Sequence, residues 1–239
     1  MLPSEYKIMH DFETNYWWYV ALHELIISKI NKKSQKILDA GCGTGRLLEL
    51  LSKHQSEGFD FSEEALEFCK SKGLNNVWLQ DINTWQSEPK YDVIISADVI
   101  CSTGIDDYKS ILKNFYQALN LDGILILNLP AFEILRRNHD KAVFVGKRFR
   151  LNEIKNSLKD SGFTIKFATY RLFPLFFVIL FEKFHQKIFR KTEVKSDLRS
   201  IPKFVNAFFL LTNRIENFIF RFVNNPFLGS SVFIVVEKI

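Results

Sequence analysis

The chain has 239 residues, 47% hydrophobic and 25% charged, proportions that exclude wholesale disorder and fit one large α/β domain. Three scattered cysteines (Cys42, Cys69, Cys101), none in a CxxC pair, exclude a disulfide framework and argue against structural zinc. The net charge of +5 hides an asymmetry: residues 1–140 hold 14 Lys+Arg, 20 Asp+Glu and 6 Phe, whereas residues 141–239 hold 18, 7 and 18. A basic, Phe-rich second part is expected to meet an anionic partner, a membrane surface before nucleic acid, since no RNA-binding motif appears.

In chain order, the first predicted element is a helix over about residues 12–30, with Tyr19, Leu22, Ile26 and Ile30 on one face. Short apolar strands follow at Gln35–Ala40, Gly58–Phe61, Val77–Gln80, Tyr91–Ser96 and Gly123–Leu129. Such runs suit strands buried on both faces. Helical patterns lie between them: Leu47, Leu48 and Leu51; Ala65, Leu66, Phe68 and Cys69 after Ser62; Ile111, Leu112, Phe115, Ala118 and Leu119 after Asp106 and Asp107. A helix over Asn152–Ser161, a strand over Phe163–Tyr170 and a last strand at Ser231–Glu237 complete the pattern.

About 60 residues separate the last two strands, too many for a loop. Phe177, Leu180, Phe181, Phe184 and Ile188 share one helical face. Ile201, Phe204, Val205, Phe208, Leu211, Ile215, Phe218, Ile219 and Phe222 share another. Two amphipathic helices are predicted, as a cap whose apolar faces cover the cleft, as an interfacial element, or as a dimer contact. The longest apolar run, Leu172–Phe181, has ten residues, against roughly 20 for a spanning helix. With no secretory pattern at the N-terminus, a cytoplasmic protein is expected.

The fold class expected is therefore α/β: a doubly wound, mostly parallel seven-stranded sheet with its last strand antiparallel, an N-terminal helix and an inserted helical hairpin. The expected divisions are 1–34 (helical lid), 35–170 (core), 171–230 (cap) and 231–239 (final strand).

Chemistry concentrates in Ile37-Leu38-Asp39-Ala40-Gly41-Cys42-Gly43-Thr44-Gly45. Alternate glycines let the chain turn sharply and let a ligand approach the backbone. The spacing is GxGxG, and Arg46 stands where a dinucleotide fingerprint would need glycine. This segment resembles the first motif of class I S-adenosylmethionine-dependent methyltransferases of the ubiquinone-biosynthesis-like superfamily. The resemblance implies S-adenosylmethionine as cofactor, held by Asp39, Gly41, Cys42, Gly43, Gly45, Asp60, Phe61, Asp81, Ile82 and Ala97. Asp60 would bond both ribose hydroxyls, Phe61 would pack on the adenine, and Asp81 with the Ile82 amide would read its edge. Leu121-Asp122-Gly123 matches the family's turn before the fifth strand only loosely.

A narrower resemblance, to bacterial members with an N-terminal WW element, rests on Tyr16-Trp17-Trp18-Tyr19, Leu129-Pro130-Ala131, His139-Asp140, Lys147-Arg148-Phe149 and Pro226-x-x-Gly229-x-Ser231. It implies Trp17 over the cofactor, and Trp18, Ser102 and Arg148 toward the acceptor. His139 becomes the candidate base, from its position after the fifth strand. Two of these relatives' features are missing: their His after the fourth strand is Ser102 here, and their arginines after the WW element are Leu22 and His23. The reading is methyl transfer to O or N of a small, apolar or amphipathic acceptor, by in-line displacement without a metal. The alternative is a cofactor-binding or membrane-surface protein with a degenerate site. Monomer and homodimer both stay open.

Overall fold

Apolar runs too short for helices became the central strands, and their burial is nearly complete: Ile37, Leu38, Ile94, Ile95, Ile126 and Leu127 are all at most 1% exposed. The computed structural model describes residues 1–31, 33, 36–189 and 198–239. Gln35, with which the first predicted strand begins, lies outside the described residues, as do the side chains of Phe184 and Ile188.

Seven strands form one sheet: β1 (Lys36–Ala40), β2 (Gln55–Asp60), β3 (Val77–Leu79), β4 (Tyr91–Ala97), β5 (Leu119–Pro130), β6 (Thr164–Arg171) and β7 (Ser231–Glu237). Their order is β3-β2-β1-β4-β5-β7-β6. The first five are parallel, and β7 runs antiparallel to both β5 and β6. The order reverses between β1 and β4, and the crevice outside the carboxyl ends of strands at such a switch point is where ligands bind in open α/β sheets.

Helices α1 (Pro3–Phe12), α2 (Trp17–Lys29), α3 (Arg46–Leu50), α4 (Glu63–Ser71), α5 (Tyr108–Ala118), α6 (Asn138–Ala142) and α7 (Leu151–Asp160) surround the sheet. The insertion contributes α8 (Phe173–Phe189) and α9 (Lys203–Ile219). One apolar cluster packs α5 and α7 on one face through Phe115, Leu112, Ile154 and Leu158. The other packs α2 and α3 on the opposite face through Leu22, Ile26, Leu47 and Ile126.

The single N-terminal helix expected over 12–30 is in fact two helices with a break at residues 13–16. The apolar stripe Tyr19, Leu22 and Ile26 is buried as predicted. The break is held by the insertion: Asn206 on α9 accepts from the Trp17 amide at 2.9 Å and donates to the Asn15 carbonyl at 2.8 Å. Nothing in residues 1–16 announces a cap supplied 190 residues later. The preceding α1 escaped prediction because it docks through scattered polar side chains rather than an apolar stripe.

The insertion also differs from expectation. Both helices form, but α9 turns its apolar stripe outward. Phe204, Phe208, Leu211 and Ile215 are more than half exposed, while Asn213 is buried and Asn217 donates to the Ala21 carbonyl at 3.0 Å. The stripe of α9 therefore does not cover the core, whereas α8 buries Phe176 and Ile179 against Leu135.

Candidate active site

The loop after β1 is shaped by backbone conformation. Gly41, Gly43 and Gly45 have φ of +89°, +53° and +85°, in the left-handed region. A Cβ on Gly41 would lie 2.3 Å from Val99 Cγ2, and one on Gly45 would lie 2.5 Å from Leu74 Cδ1. Larger residues are thus refused twice, by conformation and by space. The Gly41 and Cys42 amides donate to the Phe59 carbonyl at 2.8 and 2.9 Å, which ties the loop to the end of β2.

Asp60 ends β2 beside this loop. Its Oδ2 accepts from the Gly43 amide at 2.9 Å, and its Oδ1 from the Ser62 amide at 3.0 Å and from the Tyr6 hydroxyl at 3.4 Å. Burial raises its pKa, and these three hydrogen bonds work against that rise. Asp39 is also buried, and burial, with the Asp60 charge adding to it, pushes its carboxyl up to about 7. Phe61 projects outward, 65% exposed, next to Asp60. Asp81 follows β3, and its Oδ1 accepts from the amide and side chain of Asn83 at 2.9 and 3.0 Å. The Ile82 side chain is core. Consecutive strand ends therefore bring Asp39, Asp60 and Asp81 to one edge of the sheet. The Cys42 thiol is buried at the loop, its pKa driven up by hydrogen bonding with Cys69 and by burial.

Helix α1 lies across this edge. Met9 Sδ would be 3.0 Å from a Cβ on Gly43. Glu13 accepts from the Thr44 hydroxyl at 2.6 Å and is ion-paired with Lys72, whose Nζ also donates to the Thr44 carbonyl at 2.9 Å. His10 stacks on Phe68 of α4 at 4.6 Å. At the other end of α1, the Leu2 amide donates to the Ala142 carbonyl of α6 at 3.2 Å. One ten-residue helix thus spans from the glycine loop to the helix that carries half-buried His139.

The two tryptophans part company. Trp18 packs on the apolar cluster of the α2 face, as does Ala97 at the end of β4. Trp17 is 7% exposed and lies 5.2 Å from Phe209 of α9. Its ring belongs to helix–helix packing, and the cover over the glycine loop comes from Tyr6 and Met9. Arg148 is likewise neither a solvated residue nor part of an open basic patch. It is buried, its Nε and Nη2 clamp both oxygens of Asp140 at 2.7 Å, and its Nη1 donates to the Ala131 carbonyl at 2.8 Å. Ser102 pairs through its backbone with Val145.

A buried polar chain beyond β4 was not foreseen. Asp98, at φ +57°, accepts from Asn128 Nδ2 at 2.8 Å. Burial pushes its carboxyl up to about 6, with Asn128 and the arginines opposing. Arg171 Nη1 reaches Asn128 Oδ1 at 3.4 Å. Arg171 is fully buried, its Nε and Nη2 make no hydrogen bond, and burial lowers its pKa to about 10. Half-buried His23, ringed by Tyr19 at 6.2 Å, is held neutral by desolvation, its pKa pushed down to about 4. The sequence signal was Asn128 alone, a single polar residue in the apolar run Gly123–Leu129; Arg171 ends a strand that already carries Thr164, Lys166 and Thr169 and gave none.

Comparison with known proteins points one way. The family described as "Methyltransferase domain" matches residues 19–166. Malonyl-[acyl-carrier protein] O-methyltransferase of Bacillus anthracis is 34% identical over 113 residues, which is 44% of this chain and 41% of that protein. The chain thus aligns with less than half the length of this relative. Among solved structures, a possible histamine N-methyltransferase from Thermotoga maritima superposes with a TM-score of 0.64 at 18% identity, covering 99% of this chain and 96% of that one. Phosphoethanolamine N-methyltransferase 2 of Haemonchus contortus, solved with S-adenosyl-L-methionine, gives 0.57 at 21% identity over 92% of this chain and 52% of its own. The structural likenesses establish the shared fold.

Proposed function

The chain belongs to the methyltransferase domain family, and we propose from that premise that it is a class I S-adenosylmethionine-dependent enzyme methylating O or N of a small amphipathic acceptor. The observation that carries this reading is Asp60, whose carboxylate grips the Gly43 amide of a left-handed glycine loop at the switch point of the sheet.

The residues fit such a ligand. The would-be Cβ of Gly43 faces only the sulfur and methyl of Met9, a flexible side chain on α1, so a ligand there meets main chain once α1 shifts. Ribose hydroxyls donating to Asp60 would replace the Tyr6 hydroxyl, a long bond at 3.4 Å. Phe61 offers an exposed ring for the adenine and Asp81 a carboxylate for its edge. When bound, S-adenosylmethionine supplies a methyl group on a positively charged sulfonium.

The chain's part is alignment and water exclusion. With the cofactor held by Asp60 and the glycine-loop amides, an acceptor lone pair would take the methyl group from the sulfonium, which would keep the electrons of the broken sulfur–carbon bond. The acceptor's proton leaves to His139 or to solvent. On the acceptor side, Asp98 and Asn128 fix hydrogen-bonding groups at the end of β4. Fully buried Arg171 stands behind Asn128 and adds positive charge to this polar chain, in keeping with a relative named for an O-methylated malonyl group.

Calorimetric titration with S-adenosylmethionine and S-adenosylhomocysteine tests the reading. Micromolar binding by the wild type is expected, weakened at least about tenfold in Asp60→Ala by loss of a charge-assisted pair of hydrogen bonds. A folded wild type that binds neither compound, or a variant that binds as well, overturns it. Product formed from an acceptor panel then separates an enzyme from a binding protein.

A further inference from the structure

The exposed faces of α8 and α9 have no role in the chemistry above. Phe204, Phe208, Leu211, Ile215, Phe218 and Phe222 recur at helical spacing on and just past α9, each 52–76% exposed. Aromatic side chains carry roughly 150–250 Å² each, so this stripe presents on the order of 500 Å² of apolar surface, at the upper end of the largest patch a typical monomer exposes, and patches of that size are often functional. On α8, Phe173, Phe177 and Phe181 add exposed rings at every fourth position, 43–73% exposed.

The stripe faces outward because the opposite side of α9 is committed. Asn206 caps α2, Asn217 bonds the Ala21 carbonyl, and Arg214 pairs with Glu24 of α2 through Nε at 2.9 Å. Glu216 accepts from the Leu172 and Phe173 amides at 2.7 and 2.9 Å, holding the start of α8. Turning the helix to bury its phenylalanines would break every one of these. The inner side already holds Phe209 against Trp17 and Phe220 against Phe167, so the remaining apolar stripe is left outward, as in a helix built to meet an apolar phase.

Charge identifies that phase. Besides buried Arg171, residues 171–230 carry nine Lys+Arg against four Asp+Glu. Exposed Lys203 and Arg221 stand at the two ends of the stripe, Arg221 lying 5.6 Å over the Phe218 ring. Two copies joined through this face would set one positive surface against another, whereas anionic lipid head groups complement it. Among the described residues no helix is long and apolar enough to cross a membrane. We propose that α8 and α9 dock the protein on an anionic bilayer surface, phenylalanines below the head groups and Lys203 and Arg221 among the phosphates.

The test is co-sedimentation of the full chain with phosphatidylcholine vesicles, with and without about 30 mol% phosphatidylglycerol. Binding to the anionic vesicles is expected, at least about tenfold stronger than to neutral ones, and weakened by salt. Phe204→Ser/Phe208→Ser/Phe218→Ser should lose binding about tenfold or more while keeping the wild-type unfolding midpoint, since these rings pack against little in the fold. Lys203→Glu/Arg221→Glu should remove the preference for anionic lipid. Wild type that stays in the supernatant, or a triple-Ser variant that sediments like wild type, overturns the proposal. So does a wild-type dimer by light scattering that the triple-Ser variant converts to monomer, which would assign the face to a second copy.

Discussion

Asp39 and Asp60 show how one side chain acquires its property from where a strand stops. Asp39 lies one residue from the end of β1 and Asp60 ends β2, both buried, and burial together with the Asp60 charge pushes the Asp39 carboxyl up to about 7. Below that pH Asp39 is neutral, and above it the residue is anionic. A cationic ligand over the glycine loop prefers the anion, so affinity for S-adenosylmethionine should rise as pH climbs through 7. Titrations at about pH 6 and 8 should differ severalfold, and Asp39→Asn should flatten the difference. In the free protein the sign is opposite. The folded chain keeps a proton that the unfolded chain, with a carboxyl near 3.9, has released, so this residue's contribution to stability is fullest in acid and declines between about pH 4 and 7. All of this was half legible: the glycines and the three strand-end acids stand out in the sequence, but the partners Tyr6, Met9 and Glu13 do not.

At the scale of elements, a buried ion pair ties α6 to the chain past β5. Arg148 and Asp140 are both buried, and the guanidinium also closes the Ala131 carbonyl at the end of β5. Arg148→Met would leave a buried carboxylate without its partner. A loss of about 3–5 kcal/mol in urea unfolding is expected, partly recovered by adding Asp140→Asn. Lys147-Arg148-Phe149-Arg150 reads as a basic surface run, and only the return of the chain past β5 turned Arg148 inward. Helix α9 teaches the same lesson in reverse. Its apolar stripe was correctly phased, yet its direction was decided by Asn206, Asn217 and Glu216, whose partners sit on α2 and α8. Periodicity reports that a helix has two faces, and it does not report which face meets protein.

For the whole molecule, the closed position of α1 couples ligand binding to stability. Anything that binds the folded chain alone stabilises it by mass action, about 2.7 kcal/mol at a hundredfold excess over Kd. For a chain of this size that is a rise of roughly 5–10 °C in unfolding midpoint. S-adenosylhomocysteine should produce it in a thermal scan, NAD should not, and Asp60→Ala should cut it to about half or less.

The amino-acid sequence by itself determined the strands, their parallel order up to β5, the glycine loop and the acids at three strand ends. These follow from local rules: buried strands need continuous apolar runs, left-handed turns need glycine, and a strand-end carboxylate needs only its place in the chain. Only the tertiary structure decided that α1 closes over the loop, that Trp17 serves α9 and Arg148 serves Asp140, that Arg171 is buried with spare donors, and that α9 faces outward. Each of those rests on a hydrogen bond, ion pair or ring contact between elements distant in sequence, and a polar side chain carries no mark of the partner that folding brings to it.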